Sequence, residues 1–219
     1  MASQSGENYL KNIYLLLEKN GSAPVTTNEL SEVMATKAAS VTDMLQRLAE
    51  KKLLHYKKYQ GVLLTQRGRE KAICIVRNHR LWEYFLVEKL KFQWDEVHSV
   101  AEELEHVSSD LLIDKLDAFL GHPKFDPHGD PIPDNHGKMA VINFKNLSSL
   151  KPNDKGKVAA VIEQQPTFLK HLDKLHIHMG TPVKVVEIVE FDKSMGIVIN
   201  NNFTVNISFE IAKNILIAK

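Results

Sequence analysis

A chain of 219 residues with a formal net charge of +1 and ordinary apolar and charged fractions has room for two or three small domains, and is neither fibrous nor disordered by composition. With no secretory pattern at either end and no apolar run of membrane-spanning length, it reads as cytoplasmic. The lone Cys74 excludes an internal disulfide framework and reads as a small buried hydrophobe. The small net charge hides an asymmetry. From Ser40 to Lys71, Arg47, Lys51, Lys52, Lys57, Lys58, Arg67, Arg69 and Lys71 face only Asp43, Glu50 and Glu70; from Glu83 to Asp117, ten acidic residues face Lys89, Lys91 and Lys115. A basic block suits phosphate, and an acidic block with histidines suits a divalent cation.

In chain order, the first expected element is an amphipathic helix over 8–20, with Tyr9, Ile13, Leu16 and Leu17 on one face and Gly21 as its stop. A capping box, Thr26-Thr27-Asn28-Glu29, opens the second helix, which turns Leu30, Val33 and Met34 inward. After a break at Ala35-Thr36, a third helix buries Val41, Met44, Leu45 and Leu48. It leaves Lys37, Ser40, Thr42, Asp43, Gln46 and Arg47 outward, while Ala38 and Ala39 keep its start slim. Two short helices joined by a tight turn, the second presenting small polar and basic groups, meet the needs of major-groove reading. Residues 53–65 alternate as a β-hairpin around Tyr59-Gln60-Gly61, placing Lys57 and Lys58 along phosphates. The pattern is therefore a winged helix-turn-helix.

Helical periodicity resumes through Leu81, Phe85, Leu86, Leu90, Leu104, Val107, Leu111 and Leu112. A linker rich in proline and glycine follows over 121–137. From about 139, short runs at 157–162, 183–190, 196–199 and 203–208 predict a small β-barrel, with Asn200–Asn202 as a hairpin turn. The domains expected are 1–67 for DNA binding, 68–138 for a helical metal-binding and dimerisation segment, and 139–219 for the barrel.

Within the helical segment Glu102, Glu105 and His106 stand at i, i+3 and i+4 and share a helical face. His79 and Glu83 repeat the i, i+4 spacing, with His98 between the two groups. Carboxylates with imidazole and no thiolate suit Mn(II) or Fe(II) rather than structural zinc. Solvated ion pairs show the same spacing, so spacing leaves both readings open.

Longer motifs add a resemblance. Gly6-Glu7-Asn8-Tyr9-Leu10, Ser40-Val41-Thr42, Arg77-Asn78-His79-Arg80-Leu81, Glu102-Glu103-Leu104-Glu105-His106-Val107-Ser108-Ser109-Asp110 and Asp126-Pro127-His128-Gly129-Asp130-Pro131-Ile132-Pro133 resemble the diphtheria-toxin-repressor and manganese-transport-regulator family. Leu147-Ser148-Ser149-Leu150-Lys151-Pro152, Met179-Gly180 and Ala212-Lys213-Asn214-Ile215 resemble the SH3-like domain of ferrous-iron-transport accessory proteins.

The resemblance implies a homodimeric repressor that binds a palindromic double-stranded operator when loaded with one or two Mn(II) or Fe(II) ions per subunit. It implies metal ligands at Asn8, Glu102, Glu105 and His106 and at His79, Glu83 and His98, with Asp126, His128, Glu163 and Gln164 as possible additions. A carboxylate at Glu102 leans toward manganese, whereas Asn8 and Lys11 depart from the manganese-type pattern, and charged Lys11 cannot ligate. A winged-helix regulator sensing a small molecule is the rival reading. A metallohydrolase lacks a clear nucleophile or general-base partner.

Overall fold

The structure is a computed structural model that describes residues 3–107, 109–141, 143–200 and 202–218. The chain forms two compact units. One comprises Met1–His79, Glu102–Leu116 and Pro133–Lys138; the other comprises Arg80–Ala101, Asp117–Ile132 and Met139–Lys219.

The first unit opens with α1 (Gln4–Lys19). It begins earlier than the apolar pattern indicates because the Ser3 hydroxyl accepts from Gly6 N–H and caps the helix. Leu10, Ile13, Tyr14 and Leu17 form its buried face. In α2 (Thr27–Val33) the expected capping box is complete: Thr26 Oγ1 accepts from Glu29 N, and Glu29 returns a carboxylate oxygen to Thr26 N at 2.7 Å. Leu30 is fully buried, but Val33 is half exposed, contrary to the inward expectation; this seven-residue helix is anchored by Leu30 alone. Ala35 makes the turn in the left-handed region (φ 46°), and the Ser31 hydroxyl donates to Thr36 O at 2.5 Å.

α3 (Ala38–Glu50) buries Val41, Leu45 and Leu48. β1 (Leu54–Lys57) pairs antiparallel with β2 (Gly61–Leu64), from Leu54↔Leu64 to Lys57↔Gly61. Gly61 sits at φ +87°, where a Cβ would lie 2.8 Å from Val25 O. The close approach lets Val25 bridge Val62 and ties the hairpin to the segment before α2.

α4 runs over Gln66–Glu88, α5 over Val97–Leu104 and α6 over Asp110–Phe119. Cys74 is exposed, not buried. Ala72, Ile75 and Val76 take the core stripe of α4, and Cys74 falls off it.

In the second unit β3 (Lys145–Asn146), β4 (Lys155–Val161), β5 (Pro182–Ile188), β6 (Met195–Ile199), β7 (Phe203–Ile207) and β8 (Ile215–Ala218) form an antiparallel sheet in the order β3-β8-β4-β5-β6-β7. Among the described residues β3 and β7 are unjoined edges. The predicted barrel is therefore an open sheet, compatible with the SH3-like reading but not closed. The sheet core of Val158, Val185, Ile197 and Ile217 is covered by Leu169 and Leu172 of α7 (Pro166–Lys174). A short α8 (Phe209–Ala212) leads into β8; neither α7 nor β8 was anticipated. The expected turn at 200–202 joins β6 to β7, with Asn201 outside the described residues.

Candidate metal centre and nucleic-acid interface

In the second unit, α4 and a later loop together carry a buried ligand set. Glu83 on α4 is 2% exposed, Asp126 5% and His128 1%. One ligand atom from each lies within 4.8 Å of the others. The loop bearing Asp126 and His128 is fastened from both sides. Asp126 Oδ1 accepts from His128 N at 2.8 Å and Asp130 N at 3.0 Å, while His128 O accepts from Val161 N at 2.9 Å on β4. Gly129 (φ +89°) allows this approach, since a Cβ there would meet Ala159 O at 2.2 Å.

His128 Nε2 lies 2.8 Å from Trp94 O. A carbonyl only accepts, so Nε2 carries hydrogen and Nδ1 is the nitrogen left for another role. Nδ1 has no hydrogen-bond partner among the described residues and lies 3.7 Å from Glu83 Oε2. The Trp94 ring stacks near the imidazole at 6.2 Å and 16°. An imidazole oriented through one nitrogen, its other nitrogen orphaned beside two buried carboxylates, fits a divalent metal.

Without an ion the charges are in conflict. Burial disfavours charged His128, but the carboxylates of Glu83 and Asp126 prevail and push its pKa up to about 9. Burial raises that of Asp126, reinforced by Asp130 and Glu83. Arg80, missed in the sequence, holds the loop: Nη1 donates to Pro131 O at 2.7 Å, and Nη2 lies 3.5 Å from Asp130 Oδ2. Gln164 also donates to Asp130 Oδ2, at 3.0 Å. Glu163 instead accepts from Gln165 N, at 2.8 Å. His98, more than half exposed, places Nδ1 3.4 Å from Glu83 Oε1.

The first unit treats its acidic cluster differently. Glu105 has a fully buried side chain, and Oε2 receives Lys11 Nζ at 2.7 Å and His79 Nδ1 at 2.5 Å. Lys11 Nζ also reaches Glu102 Oε1 at 3.3 Å, and the Lys11 side chain is only 5% exposed. Burial raises the Glu105 pKa, but the His79 hydrogen bond and the Lys11 ammonium outweigh it and hold the carboxyl below the usual range.

His106 turns Nδ1 to Glu7 Oε2 at 2.8 Å. Glu102, Glu105 and His106 do not bring three ligand atoms within 4.8 Å of one another among the described residues. Asn8 Oδ1 and Glu105 Oε1 are buried acceptors without hydrogen-bond partners there. With an ammonium already on both carboxylates, this cluster as it stands does not fit a metal ion.

On α3, Lys37, Ala38, Ala39, Ser40, Asp43, Gln46 and Arg47 are exposed and Thr42 is half-buried. Lys37 is the N-cap of α3 and makes no side-chain capping hydrogen bond. Arg47 pairs with Asp43 at 2.8 Å, and Thr42 Oγ1 donates to Ala38 O. Lys57 and Lys58 are exposed at the hairpin.

Three family descriptions tile the chain: the N-terminal DNA-binding domain of iron-dependent repressors matches residues 1–62, their metal-binding and dimerisation domain matches 65–134, and the FeoA domain matches 145–219. The iron-dependent repressor IdeR of Mycobacterium tuberculosis is 32% identical over 165 residues, covering 74% of this chain and 71% of that protein. The HTH-type transcriptional regulator MntR of Bacillus subtilis is 34% identical over 116 residues, covering 53% and 80%. A manganese-dependent transcriptional repressor solved in complex with manganese superposes with a TM-score of 0.85 at 33% identity, covering 98% of this chain and 99% of that one. By sequence along its length and by fold, the chain belongs to the iron-dependent repressor family.

Proposed function

We propose that the chain is a transcriptional repressor of the cytoplasm that binds a palindromic operator as a homodimer when loaded with Mn(II) or Fe(II). The observation that carries the reading is the buried Glu83–Asp126–His128 set with its orphaned imidazole nitrogen, in a chain whose other unit presents an outward face on α3 and two wing lysines. Two hard carboxylates and one imidazole suit Mn(II) or Fe(II). Ser40, Thr42, Gln46 and Arg47 read base edges, with Ala38 and Ala39 allowing close approach, while Lys37, Lys57 and Lys58 meet phosphates. Functionally the chain divides at about residues 67 and 138. The family is one of DNA-binding repressors, not enzymes.

Selection of operator sequences from a random library, with and without Mn(II), tests the reading. Metal-dependent enrichment of a palindrome is expected, and Asp126→Ala and His128→Ala are expected to lose that enrichment in the presence of Mn(II). Enrichment indifferent to metal in the parent favours the small-molecule rival.

A further inference from the structure

The Glu102–Glu105 cluster carries a cation of its own. We infer that the Lys11 ammonium stands in for a metal ion there, fastening α1 permanently to the Glu102–Glu105 segment, so that metal regulation of this chain does not pass through that cluster. The inference rests on the metal-dependent repressor reading above.

The geometry is that of a filled site. Lys11 Nζ lies 2.7 Å from the fully buried Glu105 carboxylate and 3.3 Å from Glu102, and its own side chain is withdrawn from water. His79 completes the shell on the same Glu105 oxygen. A divalent ion entering here would meet a tethered positive charge on both of the carboxylates it needs. Expelling that charge would leave a lysine buried without its partners, which costs several kcal/mol. His106 gives Nδ1 to Glu7 at 2.8 Å, and its Nε2 lies 3.8 Å from Glu105 Oε1. Two acceptors nevertheless have no hydrogen-bond partner among the described residues, Asn8 Oδ1 and Glu105 Oε1. They are latent donors, and removing the ammonium exposes a carboxylate-rich cluster to outside ions.

The contrast with the second unit is chemical. There, an imidazole nitrogen without a hydrogen-bond partner among the described residues faces Glu83 and Asp126, and the nearest guanidinium, Arg80 Nε, stands back at 3.7 Å from Asp126 Oδ2 and is held by Pro131 O. An exchangeable ion regulates; a covalently attached ammonium does not, because it cannot leave. The α1 contact is thus independent of metal supply.

Equilibrium dialysis of full-length protein against Mn(II) tests this, using His128→Ala to silence the second unit's set. Glu105→Gln is expected to remove no ion from the His128→Ala chain, and Lys11→Glu in the His128→Ala background is expected to gain one further ion. Lys11→Arg, which keeps the charge, gains none. Should Lys11→Glu fail to fold, the milder Lys11→Gln serves: Mn(II) raises the melting temperature of the Lys11→Gln, His128→Ala chain by more than it raises that of His128→Ala. The inference is overturned if His128→Ala still holds an ion that Glu105→Gln removes, or if neither Lys11 variant gains metal. Failure of the repressor reading looks different: the parent would show no metal-dependent operator binding, whatever the Lys11 variants take up.

Discussion

The His128 imidazole can accept a proton or a metal at Nδ1, but not both. Its Nε2 is committed to Trp94 O, and the neighbouring carboxylates raise its pKa from 6.5 to about 9. Because the folded value lies above the unfolded one, protonated His128 stabilises the ion-free chain fully below pH 6.5, and that contribution is lost as pH rises through about 9. A metal at Nδ1 must displace this proton, and Asp126, raised in the same direction, adds to the release. Mn(II) affinity is therefore expected to climb across pH 6.5 to 9. Calorimetry in buffers of different ionisation enthalpy measures the proton release directly; heats independent of buffer would move the metal elsewhere. The same loop supplies a steric prediction. Gly129→Ala puts a Cβ against Ala159 O at a strained φ, costing on the order of 3 kcal/mol and displacing Asp126 and His128. Loss of Mn(II) uptake should accompany a lower melting temperature; unaltered uptake would show the loop is not the binding element.

Elements whose cause is local were legible from the residues. Thr26 and Glu29 stand three apart and build the capping box; Val41, Leu45 and Leu48 mark one helical face; alternation about Gly61 makes the hairpin. What escaped has distant causes. Lys11 and Glu105 are 94 positions apart, so nothing in either helix announces their pairing. Arg80 is unremarkable on α4 until the loop returns Asp130 to it. Barrel closure depends on whether edges meet, which strand patterns do not encode, and β8, the unalternating run Ile215–Ala218, carries no period-2 signal. Cys74 was misjudged by residue type, although the stripe through Ala72, Ile75 and Val76 already excluded it. The wing yields a prediction at this scale. If Lys57 and Lys58 lie on phosphates, alanine at either should weaken binding to all DNA and reduce the salt slope by about one unit. Ser40→Ala on α3 should instead change base preference. A salt slope unmoved by both lysine changes would remove the wing from the backbone.

For the whole molecule, the question is why one polypeptide should require a second copy. On α6, Ile113 and Leu116 face inward, whereas Leu111 is 70% and Leu112 43% exposed. Neighbouring leucines left in water within the segment matched to a metal-binding and dimerisation domain are a surface awaiting cover. A two-fold axis would bury the same patch on both copies and present two α3 helices to a palindrome, whose half-sites lie about 34 Å apart, one turn of DNA. If the two α3 helices read the two half-sites, affinity depends on both heads engaging together. Severing the pair should therefore cost roughly 10²- to 10⁴-fold in operator binding. Leu111→Glu supplies the test, since the side chain is already solvated in the single chain and the substitution leaves its core intact. Sedimentation should show a shift to monomer with an unchanged melting profile, and operator affinity should fall by that margin while Mn(II) uptake at Glu83, Asp126 and His128 persists. If the Leu111→Glu chain remains dimeric and binds its operator as the parent does, α6 is not the contact between copies. The two read-heads must then be paired through another face.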